Sequence, residues 1–147
     1  MTVRNLQEQD RNELLTLMVE FYNSPALIHH TPKHVLEKVI DDCLVGSPYV
    51  ECFVIDDEGS IAGYTIVSKG YSTEYGGISI MIEDIFVARN HRKKGYGKAL
   101  LQFVESKFEG SAVRLRLEVE KSNENAILLY KRCGFDTIDY MQMGKLY

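Results

Sequence analysis

The spacing of apolar residues changes about every ten to fifteen residues along this chain, which is typical of a domain that mixes helices and strands. Apolar positions three and four apart predict four helices, which follow Asp10 and Thr31 and span residues 96–108 and 123–133. Alternating or short apolar runs predict six strands, at residues 2–5, 49–55, 60–67, 78–87, 114–120 and about 137–145. The predicted order of elements is βααβββαβαβ.

A hairpin in the first half of the chain indicates the type of sheet. The turn at residues 56–59, Asp-Asp-Glu-Gly, separates two apolar runs of β-forming residues, so these runs are expected to pair as antiparallel neighbours. No repeat, charge block or Pro/Gly/Ser-rich linker divides the sequence, which predicts a single domain over residues 1–147. We therefore expect an α/β (α+β) fold with a mixed, mostly antiparallel central sheet flanked by helices.

Composition and charge argue against several classes of function. The 147 residues include 17 Lys and Arg against 21 Asp and Glu, and the resulting net charge of −4 provides no broad basic surface for nucleic acid. No apolar run approaches the ~20 residues of a membrane span, and the first residues do not resemble a signal peptide. Cys43, Cys52 and Cys133 lack the spacing of a disulfide framework or a zinc site. We expect a cytoplasmic protein without nucleic-acid or membrane partners.

The most informative segment is Arg-Lys-Lys-Gly-Tyr-Gly-Lys at residues 92–98, between a predicted strand and a predicted helix. Backbone N–H groups at a helix N-terminus, left uncovered by the two glycines, form a cavity for phosphate oxygens, and the helix dipole adds to the attraction. A solvated basic loop would explain the same residues. Nucleotide motifs do not fit, because a P-loop requires Gly at Arg92 and Ser or Thr at Ala99, and a dinucleotide fingerprint requires Gly or Ala at Leu100.

Three segments agree in order and spacing with one protein family. They are the strand Ile82–Val87, the turn Arg92-x-x-Gly95-x-Gly97, and the helical segment Asn125-x-x-x-x-Tyr130-Lys131-Arg132-x-Gly134-Phe135. Together they resemble the GNAT superfamily of acyl-CoA-dependent N-acetyltransferases, in motif detail over residues 60–136 and in element order over the whole chain. The Pro that the family commonly has near Arg89 is absent. The resemblance implies the GNAT fold, with splayed central strands.

The resemblance also implies acetyl-CoA as co-substrate and a site for it. The pantetheine arm would lie in the gap beside the central strand and bond to its backbone as an added strand would. The pyrophosphate would lie on the turn at residues 92–98, and Asn125 would contact the coenzyme near its pantetheine. The implied cofactor-binding residues are Ile85, Phe86, Val87, Arg92, Lys93, Lys94, Gly95, Tyr96, Gly97, Lys98 and Asn125.

Acetyl transfer to an amine makes three chemical demands. An alkylammonium with a pKa of ~10.4 must lose a proton, the tetrahedral oxyanion needs a donor, and the departing thiolate needs a proton. Glu83 or Asp84 can meet the first demand, directly or through an ordered water. Adjacent strand residues face opposite sides, so one of the pair is expected in the cleft; the resemblance favours Glu83, and Asp84 is expected to cap or pair.

The resemblance implies which groups meet the other two demands. It assigns the oxyanion to a backbone N–H of Ile85 or Phe86. It places Tyr130, on the last helix, near the sulfur of the coenzyme, where a phenol with a pKa of ~10 stays protonated at neutral pH and can donate to the thiolate. The predicted catalytic residues are therefore Glu83 and Tyr130.

The acceptor side is less well specified. Tyr22 and His29, between the first two helices, and Tyr71, before the central strand, are candidate substrate-binding residues. His29 and its neighbour His30 lack the third ligand that a metal site requires, so we expect no metal. The expected reaction is transfer from acetyl-CoA to a primary amine of a small molecule, by direct attack in a ternary complex. The alternatives are a protein or peptide N-acetyltransferase and a non-catalytic CoA-binding module, and the resemblance is compatible with a homodimer.

Overall fold

A five-stranded sheet and four helices form the computed structural model, which describes residues 1–24 and 31–147. The strands are β1 (Thr2–Asn5), β2 (Val50–Asp57), β3 (Ser60–Ser72), β4 (Gly77–Val87) and β5 (Arg114–Leu117). The helices are α1 (Arg11–Tyr22), α2 (Lys33–Leu44), α3 (Tyr96–Phe108) and α4 (Glu124–Arg132). None of these helices has both the length and the apolar character that crossing a bilayer requires.

The strands lie in the sheet in the same order as in the chain, from β1 to β5. The first four are antiparallel to their neighbours, whereas β5 runs parallel to β4. A parallel neighbour requires a crossover, which α3 provides. The mixed, mostly antiparallel sheet expected from the sequence is confirmed.

Two helices cover each face of the sheet, and the apolar stripes seen in the sequence form the two contacts. The face under α1 and α2 is built on Leu14, Met18, Leu36, Ile40, Val54, Tyr64 and Phe86. The face under α3 and α4 is built on Phe53, Val67, Ile80, Ile82, Leu101, Val104 and Tyr130. We call these the α1/α2 face and the α3/α4 face.

The strands after the hairpin differ in length from the prediction. The predicted loop after residue 67 is largely strand, because residues 68–72 pair with residues 77–81 and leave only a short turn between β3 and β4. In the other direction, β5 ends at Leu117 rather than Glu120. Its pairing with β4 stops there, so residues 118–120 have no ladder to join.

The sixth strand, predicted at about 137–145, is wrong. Residues 135–147 form neither helix nor strand, and no backbone hydrogen bond joins residues 136–147 to another part of the described chain. A pattern of apolar residues makes a strand only where a neighbour supplies the ladder. The apolar side chains of this C-terminal segment are mostly exposed; they include Tyr140, Met141, Met143 and Leu146.

The start of α1 also departs from the sequence pattern. Asp10 precedes the helix, but its carboxylate does not cap it; it accepts hydrogen bonds from Arg4 Nη1 at 2.7 Å and from the backbone N–H of Gln7 at 2.8 Å. Glu13 accepts the backbone N–H of Ile61 at 2.9 Å. The spacing Asp10-x-x-Glu13 is that of a capping box, but neither acid caps α1, and both instead bind it to neighbouring segments.

Gly63 lies where β3 comes very close to the end of β4. A Cβ built on Gly63 would lie 2.5 Å from the backbone oxygen of Phe86, so Gly63→Ala must displace that backbone. We expect Gly63→Ala to lower the free energy of unfolding by about 1–3 kcal/mol in urea titrations. Gly70→Ala on the same strand is the control, because its nearest neighbour would be 3.9 Å away. Equal stability of the two variants would refute the close approach.

Candidate active site

A β-bulge at Glu83 interrupts β4 in the middle of the sheet. Ile82 pairs with Val67 and Asp84 pairs with Ile66, so Glu83 is the extra residue with no partner on β3. A bulge of this kind bends the strand and redirects the side chains that follow it.

The bulge changes which face the β4 side chains occupy. Ile82 packs on the α3/α4 face before the bulge, whereas Phe86 packs on the α1/α2 face after it. Glu83 accepts a hydrogen bond from Ser68 Oγ, and Asp84 accepts one from Tyr22 of α1. Both acids therefore project toward the α1/α2 face. The expectation that only one of the two faces this side is wrong, because strict alternation does not survive a bulge.

Asp84 is a buried carboxyl, with 4% of the residue exposed. Tyr22 Oη donates to its Oδ1 at 2.9 Å, and Tyr64 Oη lies 3.5 Å from its Oδ2. Burial, together with the charge of the neighbouring Glu83, raises the pKa of Asp84 to about 6, although the phenol hydrogen bonds oppose the rise. Asp84 thus pairs, as expected from the sequence, and titrates close to neutral pH.

The candidate acceptor residues are only partly brought together. Tyr22 ends α1 beside both acids, and burial raises its pKa, with the charge of Asp84 acting in the same direction. His29 lies outside the described residues. Tyr71 is 67% exposed. It lies two residues after Lys69 on β3 and so shares its face of the sheet, and the ammonium of Lys69 lies over the Phe108 ring of α3. The structure therefore places Tyr71 on the α3/α4 face, away from the acids.

The central strands part immediately before the acids. β4 and β5 pair only over Ser79–Ile82 and Arg114–Leu117. From Glu83 to Val87, no strand in the described part of the chain pairs with the β5-side edge of β4, so the backbone groups on that side are outside any ladder, and only the oxygen of Val87 has a partner there, Arg92. Ile85, Phe86 and Val87, expected from the resemblance to bind pantetheine, lie on this edge.

The turn at residues 92–98 has the backbone shape that the sequence predicts. Lys93 and Gly95 have φ values of 63° and 82°, and α3 begins directly afterwards without a side-chain cap. Within residues 1–24 and 31–147, the backbone N–H groups of residues 96–98 have no hydrogen-bond partner. These groups, with the exposed Lys93 and Lys94 beside them, can hold phosphate oxygens.

Two side chains of this turn are already engaged by the protein. Tyr96 Oη donates to Asp57 Oδ2 at 2.8 Å, so its ring faces the core and only its backbone is presented to the turn. Arg92 Nε donates to the backbone oxygen of Val87 at 3.0 Å, and its guanidinium lies 5.7 Å from the centre of the Phe86 ring. Arg92 therefore lies at the end of the open strand edge.

The start of α4 contains a residue that sequence reasoning missed. Asn123 is the N-cap, and its side chain accepts the backbone N–H of Ala126 at 3.3 Å. An Asn placed directly before a helical apolar pattern is the signal that could have identified it. Asn125, predicted to contact the coenzyme, lies exposed in the first turn of α4.

Tyr130 of α4 is buried on the α3/α4 face, and its ring packs against Phe135 at 6.2 Å between centres. Burial raises the pKa of Tyr130 to about 12, so the phenol is protonated at neutral pH. Its hydroxyl makes no hydrogen bond to the described residues. Tyr130 and Lys98 line one cavity between α3, β5 and α4. The phenol and the two acids thus lie on opposite faces of the sheet, on either side of the open β4 edge.

Comparison with known families assigns this arrangement. Residues 12–135 match the model of the acetyltransferase (GNAT) family. A solved structure described as a possible acetyltransferase from Clostridium difficile 630 is similar at a TM-score of 0.86 and 18% identity, over 99% of this chain and 97% of that chain. That similarity confirms the predicted GNAT fold.

Three curated relatives differ in how much of their length this chain covers. Streptothricin acetyltransferase from Streptomyces lavendulae is 38% identical over 79 residues, which are 53% of this chain and only 40% of that protein. Thialysine N-epsilon-acetyltransferase from Mus musculus is 27% identical over 90% of this chain and 82% of its own length. Peptidyl-lysine N-acetyltransferase YiaC from Escherichia coli (strain K12) is 26% identical over 91% and 84%.

The buried carboxyl of Asp84 gives stability a defined pH dependence. The pKa of Asp84 is about 6 in the folded protein, above the ordinary value of 3.8. Between these pH values the folded protein binds more protons than the unfolded protein, so the free energy of unfolding falls as pH rises through this range. We expect Asp84→Asn, which keeps an acceptor for the tyrosines, to be more stable than the natural protein by about 1–3 kcal/mol at pH ~8 and nearly equal at pH ~4. Urea unfolding at both pH values measures this, with Glu109→Gln, an exposed acid after α3 that does not affect Asp84, as control. A stability difference independent of pH would contradict it.

Proposed function

Because the chain belongs to the acetyltransferase (GNAT) family, we propose that it transfers the acetyl group of acetyl-CoA to a primary amine of a small molecule, by direct attack in a ternary complex. The observation that carries the proposal is the open edge of β4, with a turn of unpaired backbone N–H groups at its end and two carboxyls at its bulge. An extended ligand with a diphosphate fits such an edge.

The coenzyme site is built from unsatisfied backbone groups. The N–H groups of residues 96–98, with Lys93, Lys94 and Lys98, would hold the pyrophosphate at the positive end of α3. The backbone of Ile85, Phe86 and Val87 would then bond to the pantetheine arm, as an edge strand bonds to an added strand. Gly97 suits this position because a larger residue would meet Leu129 of α4, 3.1 Å from the position of its Cβ.

Two carboxyls would serve the acceptor amine. Glu83 is exposed and can accept the proton of the ammonium through an ordered water, which makes it the proposed base. Asp84 is ionised above its pKa of about 6 and adds a second negative charge on the same face. Together they would attract a cationic amine to the α1/α2 side of the open edge.

Tyr130 would serve the leaving group from the opposite face. Its pKa of about 12 lies above that of a thiol, ~8.5, so the phenol suits a hydrogen bond to the departing thiolate better than complete transfer of its proton. A backbone N–H of Ile85 or Phe86 would bind the oxyanion.

The proposed acceptor amine belongs to a small molecule, and an amine of a protein or peptide is the second candidate. The relatives named for streptothricin and thialysine support a small-molecule amine, and the relative named for peptidyl-lysine supports a protein or peptide amine as the second candidate. The two candidates differ in the molecule that carries the amine. Incubating the protein with acetyl-CoA and a panel of small-molecule and peptide amines, and measuring the release of the coenzyme A thiol, separates them.

Two variants test the assigned roles. We expect Tyr130→Phe to lower kcat about 100-fold while the Kd of acetyl-CoA, measured by calorimetry, stays unchanged. Glu83→Gln should lower kcat/KM at neutral pH and leave a rate that rises with pH toward the pKa of the free amine, ~10.4. Glu109→Gln, an exposed acid after α3, is the matched control. Unchanged turnover in both active-site variants would remove the roles.

A further inference from the structure

Arg116 is a cation on the acceptor side of the sheet to which the mechanism gives no role. It lies beside Met81 in the parallel pairing of β5 with β4. Its neighbours Leu115 and Leu117 pack on the α3/α4 face. Because side chains alternate along a strand, Arg116 projects to the α1/α2 face, which Glu83 also occupies.

The charge of Arg116 has no partner in the described chain. Its Nε is buried and makes no hydrogen bond, and no ion pair within residues 1–24 and 31–147 includes it. Arg114, which shares its face, is by contrast 3.6 Å from Glu74, donates to Ser79 and lies over the ring of Tyr75. A partly buried guanidinium without an acceptor is costly, so a ligand with an anionic group would be stabilised there.

The strand register places Arg116 close to the acids along the sheet. Met81 is the β4 residue opposite Arg116, and Glu83 follows it two positions later. Strand residues rise about 3.3 Å each, so the two positions from Met81 to Glu83 cover about 7 Å along β4, a length comparable to a lysine-like carbon chain. Arg114 and Arg116 also line a small cavity with Glu74 and with the C-terminal segment at residues 138–143. The charge of Glu74 is already met by Arg114.

We propose that Arg116 binds the carboxylate of the acceptor, so that the acceptor is a free amino acid with a second amine at the far end of its side chain. This inference rests on the proposed function and names its substrate class. A guanidinium binds a carboxylate with two parallel hydrogen bonds, which fixes direction as well as affinity. The terminal ammonium then lies toward Glu83 and Asp84. A diamine would place a cation against Arg116, and a lysine within a peptide has no carboxylate to offer it.

Three acceptors of equal chain length test this directly: L-lysine, 1,5-diaminopentane and Nα-acetyl-lysine amide. With the natural protein we expect kcat/KM for L-lysine to be at least about tenfold above that of either other amine. Arg116→Gln should raise the KM for L-lysine about 10- to 100-fold with little change in kcat. The same variant should lower the KM for 1,5-diaminopentane, because it removes the positive charge that opposes the diamine. Arg116→Lys should recover part of the affinity. Arg114→Gln, on the same strand and face, is the matched control and should not discriminate between the amines.

Binding of L-lysine to the protein saturated with coenzyme A, measured by calorimetry, gives a readout independent of turnover and should weaken in Arg116→Gln alone. Equal losses for all three amines in that variant would show a structural role and overturn the inference. Preference for the lysine amide would overturn it in favour of a peptide acceptor. If L-lysine is acetylated and Arg116→Gln does not change its KM, the inference is overturned and the proposed function stands, whereas acetylation of no amine would end both.

Discussion

The end of the β4–β5 ladder at Ile82 is the constraint on which the rest of this structure depends. From Ser79 to Ile82, β4 is a central strand with both edges paired, and beyond Ile82 the edge toward β5 has no partner strand among the described residues. Unpaired backbone groups beside a buried core are costly unless a ligand or water satisfies them. The bulge at Glu83 bends the strand at the same point. The open edge and the placement of both acids on one face thus arise where regular pairing of β4 breaks down, at residues 82–84.

That departure also separates the chemistry by face. Tyr130 lies on the α3/α4 face, where burial keeps its phenol protonated. Glu83 and Asp84 lie on the α1/α2 face, where two tyrosines hold the buried carboxyl. The proposed base for the amine and the proposed donor to the thiolate therefore lie on opposite faces and do not contact each other. The sheet itself keeps them apart.

The sequence predicted the parts that depend on local pattern. The helical stripes, the hairpin at residues 56–59 and the glycine turn before α3 need only neighbours in the chain, and each formed where expected. The bulge could not be predicted, because it depends on how β3 and β4 register with each other. The same holds for the C-terminal strand, whose pattern was present without a partner, and for Arg116, whose lack of a counter-charge is visible only once the strands are assembled.

Amide hydrogen exchange with and without acetyl-CoA tests the central claim most directly, because the open edge and the turn are defined by their backbone N–H groups. We predict that acetyl-CoA slows exchange both in residues 83–87 and in residues 96–98. Adenosine diphosphate, which carries a diphosphate but no pantetheine arm, should slow exchange only in residues 96–98. Protection confined to other segments, with these two unchanged, would contradict the coenzyme site and the reaction built on it.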